Sequence, residues 1–139
     1  MAGRCASRST AASMPPSQWR IRNSVKGNCS VRRSRASLGA AALIADVFDG
    51  GPKTRVAMRI GARAPIEMTR RAAPDPFVAE VYARNANTKK AWVKAETSSH
   101  LWSARLPSDL PPGAHRVVVE ATTEYGDVVT GRMALEVTG

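Results

Sequence analysis

The chain has 139 residues, of which 43% are hydrophobic and 23% charged, a composition typical of a single globular domain. No apolar run approaches the ~18 residues that a membrane-spanning helix needs. The formal net charge is +10, but residues 1–39 carry eight bases and no acid, while residues 40–139 carry thirteen bases and eleven acids. Because the charge excess lies in the N-terminal segment, composition argues against nucleic-acid binding by the rest of the chain.

Residues 1–40 are predicted to form a disordered basic leader. The segment is rich in Ser, Arg and Ala, and it offers too little apolar surface to offset the entropy lost on ordering. A short strand around Trp19 and Ile21 is compatible with "WRIRNSV". Cys5 and Cys29 both lie in this leader, where they could pair, but they indicate neither a disulfide framework nor a zinc site.

The end of the leader bears on localisation. Arg32-Arg33 precedes the apolar run 38–45 and resembles a twin-arginine export signal. A plain disordered leader, or a start site placed inside a longer coding region, explains the same residues. Localisation therefore stays open between cytoplasmic and exported. The unopposed bases could bind nucleic acid or another anionic surface, but charged leaders commonly lack that role, so nucleic acid is the less favoured partner.

From residue 41 onward, apolar and polar residues alternate along short segments. In 55–60, for example, Val56, Met58 and Ile60 alternate with Arg55, Ala57 and Arg59, as in a half-buried strand. Turn signals such as "DGGPK", "APDP" and "EYGD" separate the segments. The pattern predicts an all-β, immunoglobulin- or fibronectin-like antiparallel sandwich over 41–139. Its predicted strands are 41–48, 54–61, 65–70, 77–83, 100–106, 114–123 and 128–137.

The stretch "DVFDGGPKTRVAMRIG", 46–61, holds two carboxylates beside two glycines. We interpret it as a turn in which Asp49 accepts backbone hydrogen bonds and Gly50-Gly51 supply positive φ. A metal site at Asp46 and Asp49 is the less favoured interpretation. No Gly-rich phosphate loop of the P-loop or dinucleotide-binding kind occurs in the chain.

The polar stretch 84–100 is long for a connection within a compact domain, which indicates either a mobile surface loop or a functional one. Trp92 lies in it among three lysines. We favour a packing anchor over a ligand-binding aromatic for this residue, but name Trp92 and Tyr82 as the candidate binding surface. Trp102 falls in register with Ala104 and Leu106, so it is predicted to lie in the core rather than to stack on a ligand.

Catalysis by this chain alone is not indicated. His100 and His115 each begin a predicted strand, where a lone histidine is usually a packed or partly exposed side chain. "SSH" at 98–100 could suggest a nucleophile and a base. However, adjacent residues of a strand point to opposite faces, and no orienting acid is evident. No catalytic, metal-binding or cofactor-binding residue is therefore assigned.

Four stretches together resemble the C-terminal domain of bacterial calcineurin-like metallophosphoesterases over about residues 41–138. They are "ALIADVFDGGPKTRVAMRIG", "APIEMTRRAAPDPFVAEVYAR", "SSHLWSARLPSDLPPGAHRVVVEATTEYGD" and "TGRMALEV". The family usually has Asp before the "EYG"-like turn, where this chain has Thr123, whose hydroxyl is expected to make a weaker side-chain-to-backbone bond. Residues 1–40 show no match to the family's earlier part.

The resemblance implies an N-terminal catalytic domain with two metal ions in the family's enzymes. Its ligands come as Asp-x-His, Gly-Asp-x-x-Asp, Gly-Asn-His-Glu or -Asp, and Gly-His-x-His, none of which occurs here. We therefore expect a non-catalytic accessory module without cofactor, a truncated piece whose partner is a metallophosphoesterase catalytic domain. The alternative is a stand-alone sandwich that binds glycans or a cell-surface polymer. Oligomeric state stays open.

Overall fold

The structure, a computed structural model, describes residues 18–22, 29–47 and 50–139, with backbone alone for 18–22 and 29–31. In this part of the chain, nine strands, one α-helix and one 3-10 helix follow one another. The strands are β1 (Gln18–Arg22), β2 (Cys29–Ser34), β3 (Ala42–Asp46), β4 (Arg55–Ile60), β5 (Ile66–Glu67), β6 (Thr69–Pro74), β7 (Thr97–Arg105), β8 (Gly113–Thr122) and β9 (Val128–Thr138). The 3-10 helix is Arg35–Ala40, and α1 is Pro76–Arg84.

The strands form two sheets. Sheet A has the order β1-β3-β7-β6, and sheet B has the order β2-β9-β8-β4-β5. The first two strands pair in parallel, β1 with β3 and β2 with β9, and every other described pair is antiparallel. The predicted all-β sandwich is confirmed, with nine strands where about seven were expected.

The core lies between the sheets, as the alternation in β4, β8 and β9 predicts. Its largest side chain is that of Trp102 on β7, which is 2% exposed. Sheet B faces it with buried side chains at every second residue, namely Val56, Met58, Ile60, Val117, Val119, Ala121, Met133, Leu135 and Val137. Burial of this kind stabilises a domain by about 1.5–3 kcal/mol for each large apolar side chain.

The structure differs from the predicted disordered leader at residues 18–22 and 29–40. These residues contain β1, β2 and the 3-10 helix. Leu38 of that helix is fully buried in the core, and Arg32 of β2 donates to Glu136 of β9 at 2.9 Å. The short strand allowed for around Trp19 and Ile21 is β1, whereas the pattern hides β2, because its partner β9 lies at the other end of the described chain. The predicted domain boundary at residue 40 stays a prediction, and residues 1–17, including Cys5, lie outside the described part.

The strand predicted at 77–83 is wrong, because these residues form α1. Asp75 caps the helix by accepting from the backbone N–H of Phe77 at 2.9 Å, and Pro76 occupies the first turn. A capping Asp followed by Pro is a helix-start signal that outweighs the β-branched residues in the segment. No helix in the described part of the chain is long and apolar enough to cross a membrane.

Candidate functional site

A groove of about 470 Å³ lies at one end of the sandwich, between the β3–β4 connection and the β8–β9 turn. It unites two motifs that lie far apart in sequence, "VFDGG" and "EYGD". Phe48 and Asp49 of the first motif lie outside the described residues. The groove is lined by Val47, Gly51, Thr54, Thr123, Glu124, Tyr125, Asp127 and Val129.

The β3–β4 wall of the groove is fixed by backbone hydrogen bonds and by one close approach. Gly50 N–H donates to the Val47 carbonyl at 2.9 Å, and Gly51 N–H donates to Thr54 Oγ1 at 3.0 Å. A Cβ atom at Gly50 would stand 2.3 Å from Cη2 of Trp102. The expectation that Gly50-Gly51 supply positive φ is wrong, because neither has it. Gly50 is required for space, and not for backbone conformation.

The opposite wall is the β8–β9 turn, in which Thr123 makes two hydrogen bonds with Asp127. Its backbone N–H donates to the Asp127 carbonyl at 2.9 Å, and its hydroxyl accepts from Asp127 N–H at 3.1 Å. The side-chain-to-backbone bond expected of Thr123 is therefore confirmed. Gly126, at φ +89°, takes the left-handed conformation that the turn needs.

Tyr125, at the tip of this turn, is 85% exposed and projects beside the groove. Val128, just beyond it on β9, is 57% exposed. Across the groove, Lys53 pairs with Glu124 at 3.6 Å. Tyr125 is not among the candidates taken from the sequence, although the "EYGD" turn signal places it at a loop tip where side chains are usually solvent-exposed. The rim thus offers an aromatic ring, hydroxyls and carboxylates, a set suited to binding.

Each of the two histidines makes a hydrogen bond between a ring nitrogen and a backbone carbonyl oxygen. His100 Nδ1 lies 3.1 Å from the Gly50 carbonyl oxygen, and His115 Nε2 lies 2.8 Å from that of Pro111. Asp46 occupies the last position of β3. Among residues 18–22, 29–47 and 50–139, no group of three or more His, Cys, Asp or Glu side chains could hold a metal ion.

The three aromatic residues considered from the sequence lie in different environments. Trp102 belongs to the core, as predicted, with the guanidinium of Arg70 5.9 Å from its ring centroid. Trp92 is 74% exposed, so its predicted role as a packing anchor is wrong. The ammonium of Lys90 lies 5.7 Å from the Trp92 ring centroid, within the range of a cation–π contact. Tyr82 lies half-buried on α1, and the binding surface proposed for it and Trp92 stays a prediction.

Comparison with known families gives a match over most of the chain. A family model described as the C terminal of calcineurin-like phosphoesterase matches residues 9–128. This match confirms the family resemblance inferred from the sequence motifs. It begins well before residue 41, where that resemblance was expected to start, and ends before "TGRMALEV", which the resemblance to residue 138 included. Comparison with curated proteins gives no match.

Proposed function

Because the chain belongs to the family of C-terminal domains of calcineurin-like phosphoesterases, we propose that it works beside a phosphoesterase catalytic domain, which it docks against. Accessory domains of this family are non-catalytic, and the family match over residues 9–128 carries the proposal. The chemistry then lies in the catalytic domain, and this chain supplies binding surfaces.

The sequence supports this division of labour. Calcineurin-like catalysis needs two metal ions to activate water and to stabilise the departing phosphate group. The metal-ligand motifs of such sites do not occur in the chain, which has only two histidines. Both of them contact backbone carbonyls instead. We therefore derive no step of hydrolysis through residues of this chain.

The groove and the adjoining β8–β9 hairpin are the surface we assign to docking. Two of the three exposed large hydrophobic side chains in the described part of the chain, Tyr125 and Val128, lie on this one hairpin. Exposed aromatic residues are enriched at protein interfaces because they bury a large area with few rotatable bonds. A catalytic domain seated here would cover both side chains and close the groove.

The test of docking uses calcineurin-like phosphoesterase catalytic domains from the source organism, each titrated with the full chain by calorimetry. One of them is expected to bind, and Tyr125→Ala is expected to weaken that binding at least tenfold. Trp92→Ala is the matched control, since it removes an exposed aromatic from another surface. Equal weakening by both variants, or no binding by any domain, would contradict docking through the hairpin.

A second assay addresses catalysis. The purified chain is incubated with manganese and bis(p-nitrophenyl) phosphate, and release of p-nitrophenol is followed. The rate is expected to equal that of manganese in buffer. Turnover above this background would refute the non-catalytic role.

One observation favours a second candidate function, which is glycan or cell-surface polymer binding. The exposed face of Trp92 is suited to stacking on a sugar ring, and Lys90 beside it could bind an acidic group. Fluorescence of the chain, titrated with a panel of neutral and uronate-containing glycans, tests this idea. A shift that disappears in Trp92→Phe supports it, and an unchanged spectrum across the panel contradicts it.

A further inference from the structure

The outer face of sheet B carries three arginines whose positions follow from strand register. Arg59 on β4 and Arg132 on β9 both lie opposite Val118 of the central strand β8. Arg116 lies two residues before Val118 on the same face. All three side chains are exposed, whereas Ile60, Val117 and Met133, each next to one of them in its strand, are buried in the core. We call Arg59, Arg116 and Arg132 the arginine triad.

The spacing of the triad suits a single small anion. Neighbouring strands lie about 4.8 Å apart, so the Cα atoms of Arg59 and Arg132 are about 10 Å apart across β8. The Cα of Arg116 is about 7 Å along the strand from that of Val118. It therefore lies about 8 Å from the Cα atoms of Arg59 and Arg132. Each arginine side chain reaches several ångströms beyond its Cα, so three guanidinium groups can converge above Val118.

The nearby acids do not neutralise the triad. Glu136 pairs with Arg32 at 2.9 Å, and Glu67 pairs with Arg55 at 3.5 Å. Glu120 shares the outer face two residues beyond Val118, as far from it as Arg116, but makes no ion pair with a triad member. Among the described residues, no triad member has an ion-pair partner.

Like charges on one face of a sheet repel, here across about 8–10 Å, and salt screens the repulsion. Arg132 and Arg116 lie on interior strands of sheet B, so protection of a sheet edge against aggregation does not explain them. An anion bound above Val118 would relieve the repulsion.

Resting on the proposed accessory function, we propose that the arginine triad binds a phosphate group of the anionic phosphate ester on which the partner catalytic domain acts. A guanidinium donates two parallel hydrogen bonds to phosphate oxygens, a geometry that lysine does not offer. The accessory domain would thereby hold one phosphate group of a multiply charged substrate near the catalytic domain.

A protein partner fits this face less well. The strands β2, β9, β8 and β4 have 6, 11, 10 and 6 residues. They give roughly 530 Å² of flat surface, about two thirds of what each partner buries in a standard interface. The phosphate-binding chemistry of arginine and the small area therefore both favour an anionic ester over a protein surface.

Calorimetric titration of the full chain with inorganic tripolyphosphate at low salt tests the site. Binding is expected, and Arg59→Gln, Arg116→Gln and Arg132→Gln are each expected to weaken it about tenfold. Arg71→Gln is the matched control. It removes one exposed positive charge from β6 of sheet A and is expected to leave affinity within about twofold. Equal weakening by all four variants would show attraction to net charge alone and overturn the site.

Two further experiments test whether binding needs guanidinium groups and whether it is specific for tripolyphosphate. Arg132→Lys keeps the charge but loses the paired donors, so a part of the affinity is expected to be lost, and full affinity would contradict guanidinium-specific binding. Binding of duplex DNA or of phosphatidylserine vesicles through the triad, without tripolyphosphate binding, would also overturn the proposal. Since no arm needs a catalytic domain, failure here leaves the docking role of Tyr125 to be tested separately.

Discussion

Gly50 lies directly against the indole ring of Trp102. A Cβ atom at Gly50 would stand 2.3 Å from Cη2 and 2.7 Å from Cζ3 of that ring. The contact joins one wall of the candidate groove to the largest buried side chain of the core. The β3–β4 connection also contacts His100, whose Nδ1 lies 3.1 Å from the Gly50 carbonyl oxygen. The β3–β4 wall of the groove is therefore packed directly against the core.

Gly50→Ala is expected to destabilise the protein by about 1–3 kcal/mol, because the added methyl group forces Trp102 or the loop to move. Urea unfolding measures the change. Gly51→Ala is the control, since among the described residues only Glu124 Oε1, at 3.9 Å, lies within 4 Å of a Cβ atom there, and its φ is not positive. An equal loss of stability in both variants would mean that the ring contact is not the cause.

Thr54→Val is expected to cost about 1 kcal/mol of stability. Thr54 is 7% exposed, and its hydroxyl accepts from the Gly51 N–H at 3.0 Å, so valine fills the space but leaves that donor without its partner. Thr54→Ser keeps the hydroxyl and should retain the hydrogen bond while losing the packing of one methyl group. Greater stability of the valine variant than of the serine variant in thermal unfolding would contradict this assignment.

Asp75→Ala is expected to cost about 0.5–2 kcal/mol, because it removes the acceptor for Phe77 N–H at the start of α1. Asp75→Ser retains a capping oxygen and should restore most of the loss. Hydrogen exchange of the amides in α1 gives a local readout. Faster exchange confined to the helix in the alanine variant is expected, and unchanged exchange there would contradict the capping role.

The ion pair of Arg63 with Asp109 should stabilise the protein in a pH-dependent way. The hydrogen bond from Arg63 lowers the pKa of the Asp109 carboxyl. A lowered folded-state pKa means that the contribution is present above the unfolded value of about 3.9 and is lost as the pH falls through the folded value. Asp109→Asn should therefore reduce stability at pH 7 but not in strong acid, and salt should shrink the difference because both groups are exposed.

The control for this measurement is Glu96→Gln, which removes an exposed carboxylate with no ion-pair partner among the described residues. Its effect on stability at pH 7 should be smaller than that of Asp109→Asn. A difference between wild type and Asp109→Asn that is constant with pH would contradict the ion-pair origin.

Truncation of the buried Trp102 should cost much more folding stability than truncation of the exposed Trp92. Trp102→Ala is expected to cost about 3–5 kcal/mol, because it empties the largest buried volume of the core. Trp92→Ala is expected to change stability by less than about 0.5 kcal/mol, because 74% of the side chain is in solvent. Equal destabilisation by the two substitutions would be incompatible with the burial described.

Local alternation in the sequence predicts three strands of sheet B well. In β4, β8 and β9 one face is buried and the other solvated, so the period of two is visible in the residues themselves. It fails for α1, where the capping Asp75 and the proline after it are stronger evidence than the β-branched content of 77–83. It also misses β2, whose pairing depends on β9 rather than on its own residues.

The candidate sites were less accessible to sequence reasoning because strand register assembles them. Tyr125 and Gly51 line one groove only because β3 and β8 end at the same edge of the sandwich. Arg59 and Arg132 become neighbours only through Val118. Trp102 is predictable as a core residue from its place in a strand, but the exposure of Trp92 depends on the conformation of the 85–96 segment, which no local pattern encodes.

The pairing of β2 with β9 has a consequence for the order of events in folding. Arg32 and Glu136 are 104 residues apart in the chain. Sheet B can therefore be completed only after nearly all of the domain has been synthesised. Contacts between such distant residues also slow folding. During synthesis on the ribosome, β8 and β4 can pair first, whereas β2 can pair only after β9 has emerged.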